Sequence, residues 1–98
     1  MSIRIGNSPE SWGVLSPDDP GQTPWRRFLD EVAEAGYEWI ELGPYGYLPT
    51  DPSTLRSELD ARGLKVTAGG WLTPLEEPSA WPELEESILR TGELLASV

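Results

Sequence analysis

A carboxylate interrupts an apolar run in this chain, where Glu41 sits inside Trp39-Ile40-Glu41-Leu42. A charge in such a place costs energy unless it is paired or faces a polar cavity. Two roles fit: a structural carboxylate that pairs with an Arg or Lys or caps a neighbouring loop, or a hydrogen-bond acceptor turned toward a substrate. Asn7 and Glu10 follow another short apolar segment, with Trp12 just behind. An amide, a carboxylate and an indole at one strand mouth suit a polyol, whose hydroxyls bond the polar groups while its C–H face packs on the ring. Trp12 has loop packing as its alternative. Trp71 takes the same relative place after a third apolar segment, with the same two readings. Tyr45 and Tyr47 are either lid aromatics or exposed loop residues. Trp25, Trp39 and Trp81 read as core or helix–sheet packing.

Other chemistries are excluded by what is absent. The sequence has no cysteine and no histidine. Disulfides, thiolate zinc sites, thiol nucleophiles, imidazole bases and His metal ligands therefore cannot come from this chain. No GxGxxG or GxxxxGK[ST] follows a strand, and Gly43, Gly46, Gly69 and Gly70 form no phosphate cradle. The 17 acidic residues against 7 basic ones give a net charge of -10. That balance argues against nucleic acid or an anionic membrane surface as partner and favours solubility. Asp18-Asp19 reads as a solvated loop tip. The lack of cysteine fits a reducing cytoplasm. Met1 to Gly6 contains no long apolar leader segment, and no stretch approaches a membrane span.

The elements that must position these residues alternate regularly. Ile3 to Asn7 predicts a strand, with Ile3 and Ile5 alternating against Arg4. Ser8 to Thr23 holds three prolines and two glycines and is loop. Thr23-Pro24 predicts an N-cap followed by proline in the first helical turn. Trp25, Phe28, Leu29, Val32 and Ala33 share one helical face, and Gly36 ends that helix. Trp39 to Leu42 is the second strand and Gly43 to Thr50 a loop. Asp51-Pro52 repeats the capped start, Leu55 and Leu59 face inward, and Gly63 closes the helix. Leu64 to Ala68 is the third strand and Gly69 to Pro82 the third loop. Pro82 opens a last helix with Glu83, Glu85 and Glu86 in its first turns and a stripe of Leu84, Ile88 and Leu95. The order β-α-β-α-β-α predicts an α/β fold with a parallel sheet and right-handed crossovers. Its strand spacing suits part of a (β/α)8 barrel or a small doubly wound sheet. The 98 residues make one domain, 1–98. Long strand-to-helix loops and short returns put the irregular residues on one rim, the functional face of such folds.

Three blocks carry a resemblance: Asn7-Ser8-Pro9-Glu10-Ser11-Trp12-Gly13, Gly36-Tyr37-Glu38-Trp39-Ile40-Glu41-Leu42-Gly43, and Leu55 through Gly63-Leu64-Lys65-Val66. They resemble the start of the xylose isomerase-like TIM barrels, the sugar phosphate isomerase/epimerase superfamily. The Trp-Gly after the first strand is nearest the inosose dehydratase branch. The resemblance implies carbohydrate metabolism, a (β/α)8 barrel and a divalent metal held by Glu, Asp, His and Glu on later strands. Neither those ligands nor the proton-transfer carboxylates map onto this chain. What carries over is a pocket wall of Asn7, Trp12, Glu41 and Trp71. The implied reading is a parallel (βα)3 unit, an N-terminal part of such a barrel. It would contact a sugar or polyol once the rest of a barrel completes it and be inactive alone. An inosose dehydratase-type lyase fragment and a non-catalytic binding or assembly module are the alternatives. Inward side chains from among Ile3, Ile5, Ile40, Leu42, Leu64 and Val66 would then be uncovered and drive self-association.

Overall fold

Both helix-to-strand returns close through the same hydrogen-bond pattern. Tyr37 N–H donates to Val32 O at 3.2 Å and Gly36 N–H to Ala33 O at 3.0 Å. Leu64 N–H donates to Leu59 O at 3.0 Å and Gly63 N–H to Asp60 O at 3.2 Å. These are Schellman closures, which need a left-handed residue, and Gly36 and Gly63 supply it with φ of 96° and 66°. They satisfy helix-end carbonyls and feed the chain directly into the next strand.

A computed structural model describes residues 3–71 and 73–98. Met1 and Ser2, the first residues of the stretch read for a leader, and Leu72 of the third loop lie outside the described residues. The elements run β1 (Gly6–Asn7), α1 (Trp25–Glu34), β2 (Trp39–Glu41), α2 (Pro52–Asp60), β3 (Lys65–Ala68) and α3 (Trp81–Ser97). Single turns of 3-10 helix occupy Pro9–Trp12 and Pro78–Ala80. The sheet is parallel in the order β1-β2-β3. The chain is therefore an α/β fold built of three successive strand–helix units. No helix among the described residues is long and apolar enough to cross a membrane.

One core joins all three helices to the sheet. Phe28, Leu29 and Val32 of α1, Leu55 and Leu59 of α2 and Leu94 of α3 are buried with Ile40, Leu42 and Leu64. Burying each such side chain contributes about 1.5–3 kcal/mol. Asp51 caps α2 as expected, accepting from Thr54 N–H at 3.0 Å and Thr54 Oγ1 at 2.8 Å.

Several expectations are corrected. β1 is only Gly6–Asn7, shorter than the expected Ile3 to Asn7; Ile3, 90% exposed, and Ile5 are uncovered as expected, because an edge strand with one neighbour offers them nothing to pack against. Thr23 does not cap α1: the N-cap is Pro24, with extended ψ of 145°, and Thr23 Oγ1 donates to Trp12 O at 3.3 Å instead. On α3 the buried residues are Thr91 and Leu94, while Ile88 of the expected stripe is exposed. Trp81, expected in the core, is exposed with its Nε1–H donating to Leu75 O at 2.9 Å. Tyr47 is neither lid nor exposed loop but buried, its hydroxyl donating to Thr23 O at 2.6 Å.

The open side of the sheet also differs from expectation. Ile40, Leu42 and Leu64, candidates for the uncovered face, are buried beneath the helices. Strand alternation then turns Trp39, Glu41 and Lys65 to the other side. There Trp39, expected in the packing, lies between two cations, Arg4 at 5.1 Å and Lys65 at 5.5 Å from its ring. The uncovered face is polar where aliphatics were expected.

Candidate functional site

The register of the sheet places the candidate residues. Asn7 pairs with Ile40, so the ends of β1 and β2 lie side by side, with Glu41 one residue further along β2. Between β2 and β3 the register slips: Ile40 pairs with Val66 but Glu41 with Ala68. The extra residue, Thr67, donates its hydroxyl to Ile40 O at 3.2 Å. A bulge of this kind bends a strand and re-aims its side chains. Leu42 N–H still reaches Ala68 O at 2.8 Å, so β2 is held against β3 beyond the slip.

Glu41 stands where two concavities meet. One, of about 590 Å³, runs along the open sheet face and includes Arg4, Asn7, Trp39, Glu41 and Thr67 in its wall. The other, a cleft of about 370 Å³, lies among the loops that follow all three strands; Glu10, Glu41, Tyr45, Trp71 and Arg90 line it. Both volumes fall in the range of small-molecule sites. The Glu41 carboxylate is exposed, and among the described residues no Arg or Lys lies within 4.0 Å of it. Its alternative as a structural ion-pair partner is therefore not what the structure shows. Glu41 is part of the wall of both concavities.

The neighbours are oriented by their own hydrogen bonds. Asn7 Oδ1 accepts from Ser8 N–H at 2.8 Å and Ser11 Oγ at 2.6 Å. A backbone N–H can only donate, which fixes the amide orientation and turns the Asn7 NH₂ outward as a donor. Trp71 Nε1–H donates to Ser87 Oγ on α3 at 3.0 Å. That bond pins the indole edge and leaves its face available, the residue being 41% exposed. The Arg90 guanidinium lies over the Tyr45 ring in cation–π range, 5.3 Å from its centroid.

Of the four sequence candidates, Asn7 and Glu41 share the sheet-face concavity, and Glu41 and Trp71 share the rim cleft. Trp12 lies elsewhere. Its Nε1–H donates to Glu31 on α1 at 3.1 Å, and its ring meets Phe28 edge-on at 4.9 Å. Trp12 fastens the first loop onto α1. Arg90 and Ser87 were missed by sequence reasoning. The signal was present as Glu83, Ser87 and Arg90 at i, i+4 and i+7, a polar helical face directed into the cleft.

Groups able to hold a cation do not converge: among the described residues no three Asp or Glu side chains come together as a ligand set. Among the described residues, then, no such side-chain set fits the divalent metal that the resemblance implies. The chemistry the site offers is recognition: acceptor oxygens from Glu41, donors from Asn7 and an aromatic face from Trp71.

Comparison with known proteins gives long alignments at low identity. The chain is 36% identical over 86 residues to the rhizopine catabolism protein MocC of Rhizobium meliloti, an alignment covering 87% of this chain and 26% of that protein. It is 29% identical over 96 residues to inosose dehydratase of Lacticaseibacillus casei, covering 97% of this chain and 31% of the relative. Inosose dehydratase of Lacticaseibacillus casei strain BL23 is 28% identical over 96 residues, with the same coverage of 97% and 31%. The chain thus spans 26% to 31% of the length of these curated relatives. No protein-family model matches it. No solved structure matches it.

Proposed function

We propose that this chain supplies part of the substrate wall of a sugar- or polyol-converting protein of the isomerase, epimerase or dehydratase kind. Its three strand–helix units are an N-terminal part of a xylose isomerase-like (β/α)8 barrel. The observation that carries this reading is the position of Glu41, unpaired and shared between two concavities at the loop-bearing rim. The names of the relatives support it, since two of them are inosose dehydratases and the alignments cover most of this chain. A parallel sheet with its helices packed to one side also supports it, because barrel geometry requires that arrangement.

In this reading Glu41 accepts hydrogen bonds from two neighbouring hydroxyls, Asn7 donates to a third oxygen, and Trp71 packs against the C–H face of the ring. Proton transfer and any metal chemistry belong to other parts of the barrel, and the chain alone is inactive. Titration with myo-inositol, a neutral cyclic polyol, tests the wall itself. Binding is expected at about millimolar Kd, equivalent to roughly 4 kcal/mol. Glu41→Gln, which keeps shape but loses the charge-assisted bonds, should weaken it about fivefold or more. Unchanged binding in Glu41→Gln would remove the basis of the proposal.

A second feature supports self-association of the chain. Trp81, Ile88 and Leu89 are exposed on α3, and such a stripe on a small domain is a contact surface.

A further inference from the structure

A parallel sheet is normally covered on both faces. Here the helices cover one face. The other carries the half-buried Trp39, with Arg4 at 5.1 Å and Lys65 at 5.5 Å from its ring. Gly6, paired with Trp39 across the ladder, adds no side chain beside the indole. Two cations together are notable in a chain with 7 Lys and Arg against 17 Asp and Glu. Arg26, Arg27 and Arg62 are ion-paired, and Arg56 donates to Ser97 O. Among the described residues no carboxylate lies within 4.0 Å of Arg4 or Lys65. The bare face, at the N-terminal end of the strands, is thus basic and aromatic on an acidic molecule.

The outer face of α3 has the opposite chemistry. Trp81, Glu85 and Leu89 stand at i, i+4 and i+8 and form one stripe, with Trp81 and Leu89 exposed. Glu86 and Glu93 flank it, and among the described residues no Arg or Lys lies within 4.0 Å of any of these three carboxylates. The bond from Trp81 Nε1–H to Leu75 O holds the indole at the head of the stripe. Because α3 packs on the covered side of the sheet, its outer stripe and the bare face of the same chain look away from each other. We propose that the bare sheet face is a docking site for α3 of a second copy of this chain. Trp81 and Leu89 of one copy lie over Trp39 of the next, and Glu85 and Glu86 meet Arg4 and Lys65. Glu41, further along β2 on the same face, repels an acidic helix from the rim end and so fixes where it lies. A helix laid on a sheet is the layer a parallel sheet otherwise obtains from its own chain. The contact is heterologous, each copy offering one face and one helix, and it propagates head to tail unless it closes into a ring. This inference rests on the self-association reading above and adds the surface that the α3 stripe meets.

The test is complementation between two variants of the whole chain, followed by sedimentation velocity at one fixed ionic strength of about 0.15 M. Lys65→Glu spoils the face and keeps the helix. Leu89→Lys spoils the helix and keeps the face. Each alone is expected to weaken association about tenfold or more relative to the wild type, through like-charge contact or loss of the apolar anchor. Mixed in equal amounts, the intact helix of the first docks on the intact face of the second, and a one-to-one pair forms that grows no further. Arg4→Glu repeats the face arm if Lys65→Glu fails to fold. Wild-type association in Lys65→Glu and Arg4→Glu, with Leu89→Lys impaired, would overturn this inference and spare self-association through the stripe. Loss in both arms with no pair in the mixture would overturn it too, since face and helix would not be each other's partners. A wild-type chain that stays monomeric at millimolar concentration would overturn both readings.

Discussion

Gly43 lies against the ring of Pro9: a Cβ added to the glycine would stand 2.7 Å from the proline Cγ, and its φ is 72°. This contact locks the loop after β1 to the loop after β2, so it fixes the spacing of Asn7 and Glu41. Gly43→Ala should destabilise the chain by about 2 kcal/mol or more, from left-handed strain and overpacking together. Gly70, with open space around it and no positive φ, is the control. Gly70→Ala should stay within about 0.5 kcal/mol. Urea denaturation of the two variants checks the difference.

Tyr47 makes the fold sensitive to alkali. Burial favours the neutral phenol and pushes its pKa from 10.0 up to about 12. The folded value is the higher one, so the stabilisation is complete below pH 10 and is lost as pH rises toward and through about 12. Tyr47→Phe removes the bond to Thr23 O, should cost about 1 kcal/mol at neutral pH, and should flatten this alkaline loss. Stability measured against pH for both proteins separates the two effects.

Asp51 acts at the opposite end of the scale. Its hydrogen bonds from the backbone and the side chain of Thr54 hold its carboxyl below the usual carboxylate range. The cap is then fully formed above the ordinary Asp pKa and is lost as pH falls through the lowered folded value. Asp51→Ala should lower stability at pH 7 and lose that acid-side dependence, while Asp51→Asn should keep most of the neutral-pH stability. Thermal unfolding at pH 7 and in acid tests both variants.

The α3 stripe should bring copies together. Leu89 is 62% exposed and Ile88 44%, adjacent on one helical face with Trp81 two turns earlier. Sedimentation equilibrium should show concentration-dependent association that Leu89→Lys weakens. A wild-type chain that stays monomeric at millimolar concentration would contradict this.

Much of the fold could be read from local signals, because those signals were decided locally. The glycine closures at Gly36 and Gly63 and the Asp51 cap depend on residues a few positions apart. The α1 face, Phe28, Leu29 and Val32, follows from its spacing. What could not be read depended on partners far away in sequence. The exposure of Ile3 and Ile5 depends on whether a neighbour flanks β1. Thr23 had two partners available and took Trp12 O. The strand residues Trp39 and Ile40 are both apolar, so alternation alone could not say which would face the helices. At the site, Asn7 and Glu41 stood out as polar groups at strand ends, whereas Trp12 could not be told from Trp71 until Glu31 claimed its indole nitrogen.

The central claim is that the loop-bearing rim around Glu41 is the recognition surface. An amide-resolved NMR titration of the ¹⁵N-labelled chain with myo-inositol tests it most directly. The account predicts saturable shifts at Asn7, Glu41, Gly70 and the Trp71 indole N–H, reduced in Glu41→Gln. Shifts confined to the opposite rim around Gly36 and Gly63, or no saturable shifts at all, would contradict it.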